Sequence, residues 1–141
     1  MKSPFGTIAA GLLCLAIALP GFAQTTKHTV QTANEAQIAH GEYLVKGIAG
    51  CGDCHTPMND KGEPMPGQWL KGSKLSFGPL VPFPGWAAAS PDIAGLNGWS
   101  RKNAIRLLMT GMDASGQRPR PPMPQYRMNY TDAAAVVAYL K

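Results

Sequence analysis

The chain of 141 residues carries a formal net charge of +5, and only 15% of its residues are charged. This length corresponds to a single domain, and the low charge excludes the highly charged composition of a disordered chain. Leu, Ile, Val and Phe together make up less than a fifth of the residues, whereas Gly and Pro number 16 and 13, so we expect something other than side chains to fill part of the core.

The first 23 residues have the pattern of an export signal. Lys2 precedes an uncharged apolar run over residues 8–19, and Gly21 and Ala23 have the spacing of small residues before a cleavage site. The run is shorter than the roughly 20 residues that a membrane-spanning helix needs, and no later segment is apolar enough to span. We therefore predict a signal peptide over residues 1–23, export to the periplasm and a mature chain without a membrane span.

After cleavage, we expect a flexible polar tail over residues 24–33 and then one domain over residues 34–141. Asn34 is a good N-cap, and the sequence predicts a first helix from there to Ile48. Its inner face is predicted from small and apolar residues at helical spacing, namely Ile38, Gly41, Leu44 or Val45, and Ile48.

Directly after this helix stands CGDCH, residues 51–55, which is the C-x-x-C-H attachment motif of c-type haem. Two thiols three positions apart lie on one helical turn, from which both can bond the vinyl groups of the ring. The histidine that follows then points at the iron, and its other ring nitrogen is expected to donate to a backbone carbonyl. We predict one haem c, bound covalently through Cys51 and Cys54, with His55 as the proximal iron ligand.

Other sites use similar cysteine spacings. A thioredoxin-like redox pair needs C-x-x-C beside a βαβ pattern, which residues 40–70 lack. A structural zinc site usually takes four Cys or His ligands, and beyond the motif only the distant His28 and His40 could complete one. Since Cys14 is lost with the signal peptide, the motif holds both remaining cysteines, and a disulfide between them would close too small a loop to stabilise the fold.

Residues 56–99 are dominated by Gly and Pro, and no regular element of useful length fits them. The large apolar side chains of this stretch are those of Trp69, Leu75, Phe77, Phe83 and Trp86. They indicate a loop that packs against the haem, which would supply the apolar core that the composition lacks. We therefore expect the chain without haem to be poorly folded.

Two further helices are predicted near the C-terminus. Ser100 is an N-cap for a helix over residues 101–110, which Gly111 would end. The last helix starts at Thr131, with Asp132 in its first turn, and runs to the end of the chain. The side chains expected to face the core are Ile105, Leu108 and Met109, then Val136, Val137, Tyr139 and Leu140. No segment has a convincing strand pattern, so the predicted fold is all-α, with three main helices and long loops around one haem.

Six methionines follow the predicted signal peptide, and one of them is expected to bind the iron opposite His55. Met123 lies in the segment PRPPMP, residues 119–124, whose prolines restrict the backbone before folding. Because a thioether is a weak neutral donor, such a prearranged segment helps it hold the iron against water. We predict Met123 as the distal ligand, with Met128 second, and His40 as a partly exposed surface residue rather than a ligand.

At this point the residues resemble the single-haem class I cytochrome c family, with C-x-x-C-H after a first helix and a methionine loop before the last helix. Over residues 34–141 the sequence is similar to the haem domains of cytochrome subunits that serve periplasmic alcohol, aldehyde and gluconate dehydrogenases. The stretches that carry this likeness are GEYL at 41–44, AGCGDCHTP at 49–57, GWS at 98–100, PMP at 122–124 and AYL at 138–140.

The resemblance implies a cytochrome c fold with thioethers at Cys51 and Cys54 and with His55 and Met123 as axial ligands. It also implies that Gly41 and Tyr43 of the first helix contact Tyr139 and Leu140 of the last. Those dehydrogenase subunits often carry three haem motifs, whereas this chain has one.

The expected function is electron transfer, not catalysis, since one electron would enter and leave an iron held by His55 and Met123. The expected partners are redox proteins, namely a dehydrogenase donor or an oxidase acceptor. A Met ligand on the haem iron predicts a raised reduction potential. Nucleic acid is not an expected partner, because the basic residues are scattered and form no binding motif. The alternative is a haem enzyme or gas sensor, which would follow if the distal iron site were open.

Overall fold

The computed structural model describes residues 22–141, and the side chains of residues 30–141. Residues 1–21, which hold most of the predicted signal peptide, lie outside the described residues. Within the described part the helices are α1 (Phe22–Tyr43), α2 (Cys51–His55), α3 (Arg101–Thr110) and α4 (Tyr130–Leu140). Among them, no helix combines the length and the apolar character that crossing a membrane requires.

Helix α1 is longer than the sequence pattern indicates. Residues 24–33, expected as a flexible tail, lie within this helix, so the predicted start at Asn34 is wrong. They contain no Gly or Pro, and extending a helix that packing has already nucleated costs far less than starting one. The side chains of residues 30–36 are exposed, which is why no apolar periodicity marks this part of the helix.

A π-helical turn, Leu44–Ile48, continues α1 directly. Its wider winding interrupts the regular 3.6-residue spacing, so that the neighbouring side chains of Leu44 and Val45 are both buried. Of the predicted inner face, the buried members are Gly41, Leu44 and Val45, and the exposed members are Ile38 and Ile48. The helical conformation through residue 48 is confirmed, whereas the predicted face holds only for its middle part.

Helix α3 has the bounds that the sequence predicts. The Ser100 hydroxyl accepts a hydrogen bond from the Asn103 N–H at 3.1 Å, and Gly111 ends the helix in the left-handed conformation with φ 68°. The predicted core residues Ile105 and Leu108 are buried, and Met109 packs half-buried against the same cluster.

Helix α4 begins at Tyr130, one residue before the predicted start at Thr131. The reason is its cap, because the Asn129 side chain accepts a hydrogen bond from the Asp132 N–H at 2.9 Å and so makes Tyr130 the first helical residue. The predicted Val136, Val137 and Leu140 are buried and Tyr139 is half-buried, and the buried face also includes Ala133, Ala134 and Ala135.

Helices α1 and α4 cross in close contact at Gly41. A Cβ atom added to Gly41 would lie 2.0 Å from the Ala135 carbonyl oxygen and 2.9 Å from the Cβ of Tyr139. Only glycine permits this approach. The implied contact of Gly41 with Tyr139 is therefore confirmed, whereas Tyr43, expected in the same contact, is 59% exposed.

The stretch between α2 and α3 contains a short antiparallel pair, β1 (Ser73–Lys74) with β2 (Ala89–Ser90). The expectation of no strand is thus wrong in detail, because strands of two residues are too short to show alternation. Residues 75–88, which we call the apolar loop, connect these strands and contain no charged residue. The loop is closed at its base by the Leu75 N–H, which donates to the Ala88 carbonyl at 3.0 Å.

The apolar core lies where α1, its π-helical turn, α3 and α4 meet. It also receives Leu70 and Leu96 from the connecting loops. The predominance of helix agrees with the predicted all-α fold class, and the arrangement of the helices is compatible with a cytochrome c fold. The core brings the π-helical turn at the end of α1, which leads into α2, against α4.

Candidate functional site

Helix α2 contains all three residues of the predicted attachment motif. Gly50, in the left-handed conformation with φ 57°, turns the chain sharply into α2. On a helix, residues three apart share a face, so Cys51 and Cys54 are neighbours along one side of this single turn. Both are free thiols of intermediate burial. The structure thus brings both predicted attachment residues together on one surface.

His55 ends α2 and is buried, with 7% of its surface exposed. Its Nδ1 lies 2.8 Å from the carbonyl oxygen of Pro91. A carbonyl can only accept, so Nδ1 donates in this hydrogen bond and Nε2 is the ring nitrogen left to face a metal. The contact expected for the second ring nitrogen is therefore present. The sequence did not indicate Pro91, because its carbonyl reaches His55 only through the fold.

The segment that carries Pro91 is itself fixed to α2. The Ser90 hydroxyl donates to the Cys54 carbonyl at 2.5 Å, and the Gly72 N–H donates to the His55 carbonyl at 2.8 Å. On the other side, the Thr56 hydroxyl, which is 1% exposed, accepts a hydrogen bond from the Leu70 N–H at 3.0 Å. These bonds hold the imidazole and both thiols in one rigid unit.

Trp69 packs against the back of α2. A Cβ atom on Gly52 would lie 2.5 Å from two carbons of the Trp69 ring, so the first variable position of the motif needs a glycine here. The indole N–H donates to the Tyr139 hydroxyl at 3.1 Å, which links this contact to α4. Trp69 was expected to pack against the haem, and the structure places it between α2 and α4.

Burial controls the ionisation of the groups beside the motif. Loss of hydration raises the pKa of the Cys51 thiol and, together with Asp53, that of the Cys54 thiol. The Tyr126 hydroxyl donates to the Ala49 carbonyl at 2.8 Å, and burial raises the pKa of Tyr126 to about 12. All three groups are therefore protonated at neutral pH. Sequence reasoning missed Tyr126, for which no motif exists.

Met123 lies in a turn of the predicted proline segment and is half-buried. Its N–H donates to the Arg120 carbonyl at 3.2 Å, and the neighbouring Pro121 carbonyl accepts from the Ala87 N–H of the apolar loop at 2.7 Å. The Arg120 guanidinium donates to the carbonyls of Gly85 at 2.9 Å and Trp86 at 2.8 Å. The Met123 segment is thus fixed to the apolar loop, and Arg120 is a positioning residue that the sequence did not reveal.

The other methionines have different surroundings. Met109 and Met128 pack against the apolar core, and the Met128 N–H donates to the Leu108 carbonyl at 3.1 Å. Met58 and Met65 are exposed by 37% and 44%. Met112, directly after α3, is half-buried. Unlike Met109 and Met128, Met123 is tied to the apolar loop rather than to the helical core.

His40, the minority candidate for a ligand, lies at the surface between α1 and α4. Its Nε2 is 2.8 Å from Asp132 Oδ1, so the expected surface position is confirmed. Within residues 30–141, no group of three or more His, Cys, Asp or Glu side chains converges as a metal-binding cluster.

The described residues can be tested for their fit to a haem. Among the described side chains, Trp86 Nε1 is the buried polar atom that lacks a hydrogen-bond partner, and buried N–H groups nearly always have an acceptor. The apolar loop that holds Trp86 is bonded to the Met123 segment, so an acidic group of a bound ring could serve as this acceptor. Together with the thiols of α2 and the free Nε2 of His55, this donor set fits a c-type haem.

Three characterised proteins are similar to the chain over much of its length. The fructose dehydrogenase cytochrome subunit of Gluconobacter japonicus is 30% identical over 111 residues, which cover 72% of this chain and 21% of the relative. A diheme c-type cytochrome of Cereibacter sphaeroides is 31% identical over 107 residues, which cover 72% of this chain and 33% of the relative. The cytochrome c subunit of alcohol dehydrogenase (quinone) of Gluconobacter oxydans is 30% identical over 84 residues, 57% of this chain and 17% of the relative.

No protein-family model matches the chain. The chain spans a third or less of the length of these three relatives. The resemblance predicted from the motifs is nevertheless confirmed: the chain is similar to c-type cytochromes, among them the cytochrome subunits of two dehydrogenases.

Proposed function

We propose that this chain is an electron-transfer domain that carries one electron at a time on a single c-type haem. The observation that supports this most is the geometry of α2, which presents two thiols and a buried imidazole whose tautomer is fixed by Pro91. The similarity to cytochrome subunits points the same way. We include in the proposal that the chain transfers electrons without transforming a substrate.

On the proximal side, Cys51 and Cys54 would hold the ring through thioethers, and His55 Nε2 would bind the iron. When bound, the haem supplies a one-electron couple between ferric and ferrous iron. The Pro91 carbonyl orients the imidazole by accepting a hydrogen bond from its Nδ1–H. Because Ser90 and Gly72 bond the backbone of α2, the imidazole needs little reorganisation when the charge on the iron changes.

On the distal side, we propose Met123 as the second axial ligand. Its segment is restricted by prolines and bonded to the apolar loop at two neighbouring residues, Arg120 and Pro121. A ligand held in this way loses little conformational entropy on binding. Methionine opposite histidine raises the reduction potential relative to ligation by stronger donors, which suits a carrier that accepts electrons from a dehydrogenase.

The cellular setting follows from the same reasoning. Residues 1–23 would direct export and be removed, so that the domain works in the periplasm. Its partners would be redox proteins, with a dehydrogenase as the donor, as the names of two relatives suggest. Removal of residues 1–23 takes Lys2 away and lowers the formal net charge from +5 to +4, and this positive charge would steer encounters with acidic surfaces at low salt.

Intact-mass and absorption measurements on the exported protein test this proposal. We expect a chain that begins at Gln24 and carries the added mass of one haem, a charge-transfer band from methionine to ferric iron, and no binding of carbon monoxide by the reduced form. A colourless chain without added mass would refute the haem. Rapid carbon monoxide binding with haem present would instead show an open distal site and favour a gas sensor or enzyme.

A further inference from the structure

The apolar loop exposes large hydrophobic side chains at its tip. Leu80 is fully exposed, at 105% of its reference area, and the adjacent Val81 is 69% exposed. Residues 75–91 contain no charged side chain. Contiguous exposed apolar side chains on a soluble domain mark an interaction site more often than isolated ones do.

The loop is held rigidly in this exposed position. The rings of Phe77 and Phe83 meet the Trp86 ring edge-on, with centroids 6.2 and 6.3 Å apart. Arg120 holds the base of the loop through the carbonyls of Gly85 and Trp86. A partner that binds the tip would therefore meet a preorganised surface, and the loop would lose little conformational entropy on binding.

Cationic side chains flank this loop. Lys74 lies in β1 at its base, Arg120 contacts it, and Arg118 lies two residues before Arg120 in the chain; all three are exposed. Within residues 30–141, none of them forms an ion pair, whereas Lys71 nearby is paired with Asp92 at 3.7 Å. The loop thus has an apolar tip and unneutralised positive charge at its base, and the complement of this surface is an apolar patch bordered by carboxylates.

We propose that the apolar loop, with Leu80 and Val81 at its tip, is the docking surface for a redox partner protein whose contact face is apolar and bordered by acidic residues. This rests on the proposed electron-transfer function. The loop is bonded to the Met123 segment, so a partner seated on it would lie beside the distal side of the haem, where an electron can pass. Electron-transfer encounters use interfaces at the small end of the size range.

A lipid surface fits these observations less well. The two most exposed side chains offer little area for insertion, and even a single long acyl chain gives only marginal membrane binding. The connection of the loop to the Met123 segment also has no purpose in lipid binding. Membrane binding is therefore an outcome of the test and not part of the proposal.

The test compares Val81→Asp with the matched control Val30→Asp in the full holoprotein. Val30 lies on α1 and is also 69% exposed, so the two variants make the same chemical change at equal exposure. The probe is a gold electrode coated with a mixed monolayer of methyl- and carboxylate-terminated thiols, which reproduces the proposed partner face. We expect the electron-transfer rate to fall about tenfold for Val81→Asp, as for loss of one buried apolar contact, and to change less than twofold for Val30→Asp.

A photo-crosslinking amino acid at position 80, compared with one at position 30, identifies the partner in the exporting cell. We expect an adduct from position 80 with a haem, flavin or quinone protein, joined near acidic residues. Equal rates for both variants, crosslinks only to proteins without a redox group, or Val81-dependent flotation with phosphatidylcholine–phosphatidylglycerol vesicles would each overturn the proposal. Unchanged spectra and potentials in the variants would show that the proposed function stands even if the docking surface fails.

Discussion

The proximal and distal sides of the candidate site are built in different ways. On the proximal side, both thiols and the imidazole belong to five consecutive residues, Cys51–His55, on one helical turn. On the distal side, Met123 depends on a loop-to-loop contact, since Arg120 bonds Gly85 across 35 positions of the chain. A local motif thus carries its own geometry, whereas a ligand on a loop depends on distant residues that no motif marks.

Removing both thiols breaks the proximal side most completely. In the variant Cys51→Ala with Cys54→Ala, we expect no covalent haem and, since we propose that the haem completes the apolar core, loss of cooperative unfolding. Intact mass and circular dichroism on heating measure the two effects. Met123→Ala is the control, and it should keep the covalent haem and the fold. A double-alanine variant that still unfolds cooperatively would contradict the role of the haem in the core.

The crossing of α1 and α4 supports the proximal side, and Gly41 is its closest contact. For Gly41→Ala we expect the free energy of unfolding to fall by about 1–3 kcal/mol, since the new Cβ must push the Ala135 backbone away. The control is Gly47→Ala, where the added Cβ would lie 3.6 Å from the Tyr43 ring, at an ordinary contact distance. Denaturant unfolding that showed equal stability for both variants would show that the helices do not cross as described.

Substitution of Arg120 tests whether the distal side depends on the contact between the Met123 segment and the apolar loop. For Arg120→Gln we expect the Met123 ligand to be displaced more easily, with about a tenfold rise in the affinity of the ferric protein for imidazole, corresponding to roughly 1.4 kcal/mol. Arg120→Lys should restore part of the effect by keeping one donor. Arg118→Gln is the control, because within residues 30–141 Arg118 forms no hydrogen bond or ion pair. Equal imidazole affinity in all three variants would contradict a positioning role.

Of these predictions, the variant Tyr126→Phe has the smallest expected effect on the free energy of unfolding, and this effect has a distinct dependence on pH. Its folded-state pKa of about 12 lies above the ordinary value of 10, so its contribution to stability is fully present below pH 10 and is lost as pH rises from 10 towards 12. For Tyr126→Phe we expect a loss of about 1 kcal/mol at pH 7, from the unpaired Ala49 carbonyl, and a flatter stability profile between pH 10 and 12. Unfolding curves across this range would contradict the account if both proteins showed the same slope.

The parts of the fold that the sequence predicts correctly are those set by local chemistry. Ser100 and Gly111 define α3 because a cap acts on its own first or last turn, and the haem motif is a single turn of helix. The start of α1 was wrong because its polar first part carries no apolar pattern. The start of α4 was misplaced by one residue because the sequence analysis did not identify Asn129, whose side chain caps this helix.

The parts that the sequence could not supply depend on long-range contacts. Pro91 orients His55 from 36 positions away, and the short strands β1 and β2 form through pairing rather than through their own pattern. Arg120 stands in a proline-rich segment that drew attention to Met123, but nothing in its neighbourhood indicated a bond to the apolar loop. The exposure of Leu80 and Val81 is likewise a property of the folded loop.

The most direct test of the central claim, that one haem is held between His55 and Met123, is carbon NMR of the reduced protein with isotope-labelled methionine methyl groups. The methyl group of a methionine whose sulfur binds the iron would lie over the ring, whose circulating electrons would move its resonance far from those of the other methionines. The account predicts one such shifted methyl, which disappears in Met123→Ala. A shifted methyl that persists in that variant, or none in the parent protein, would contradict it.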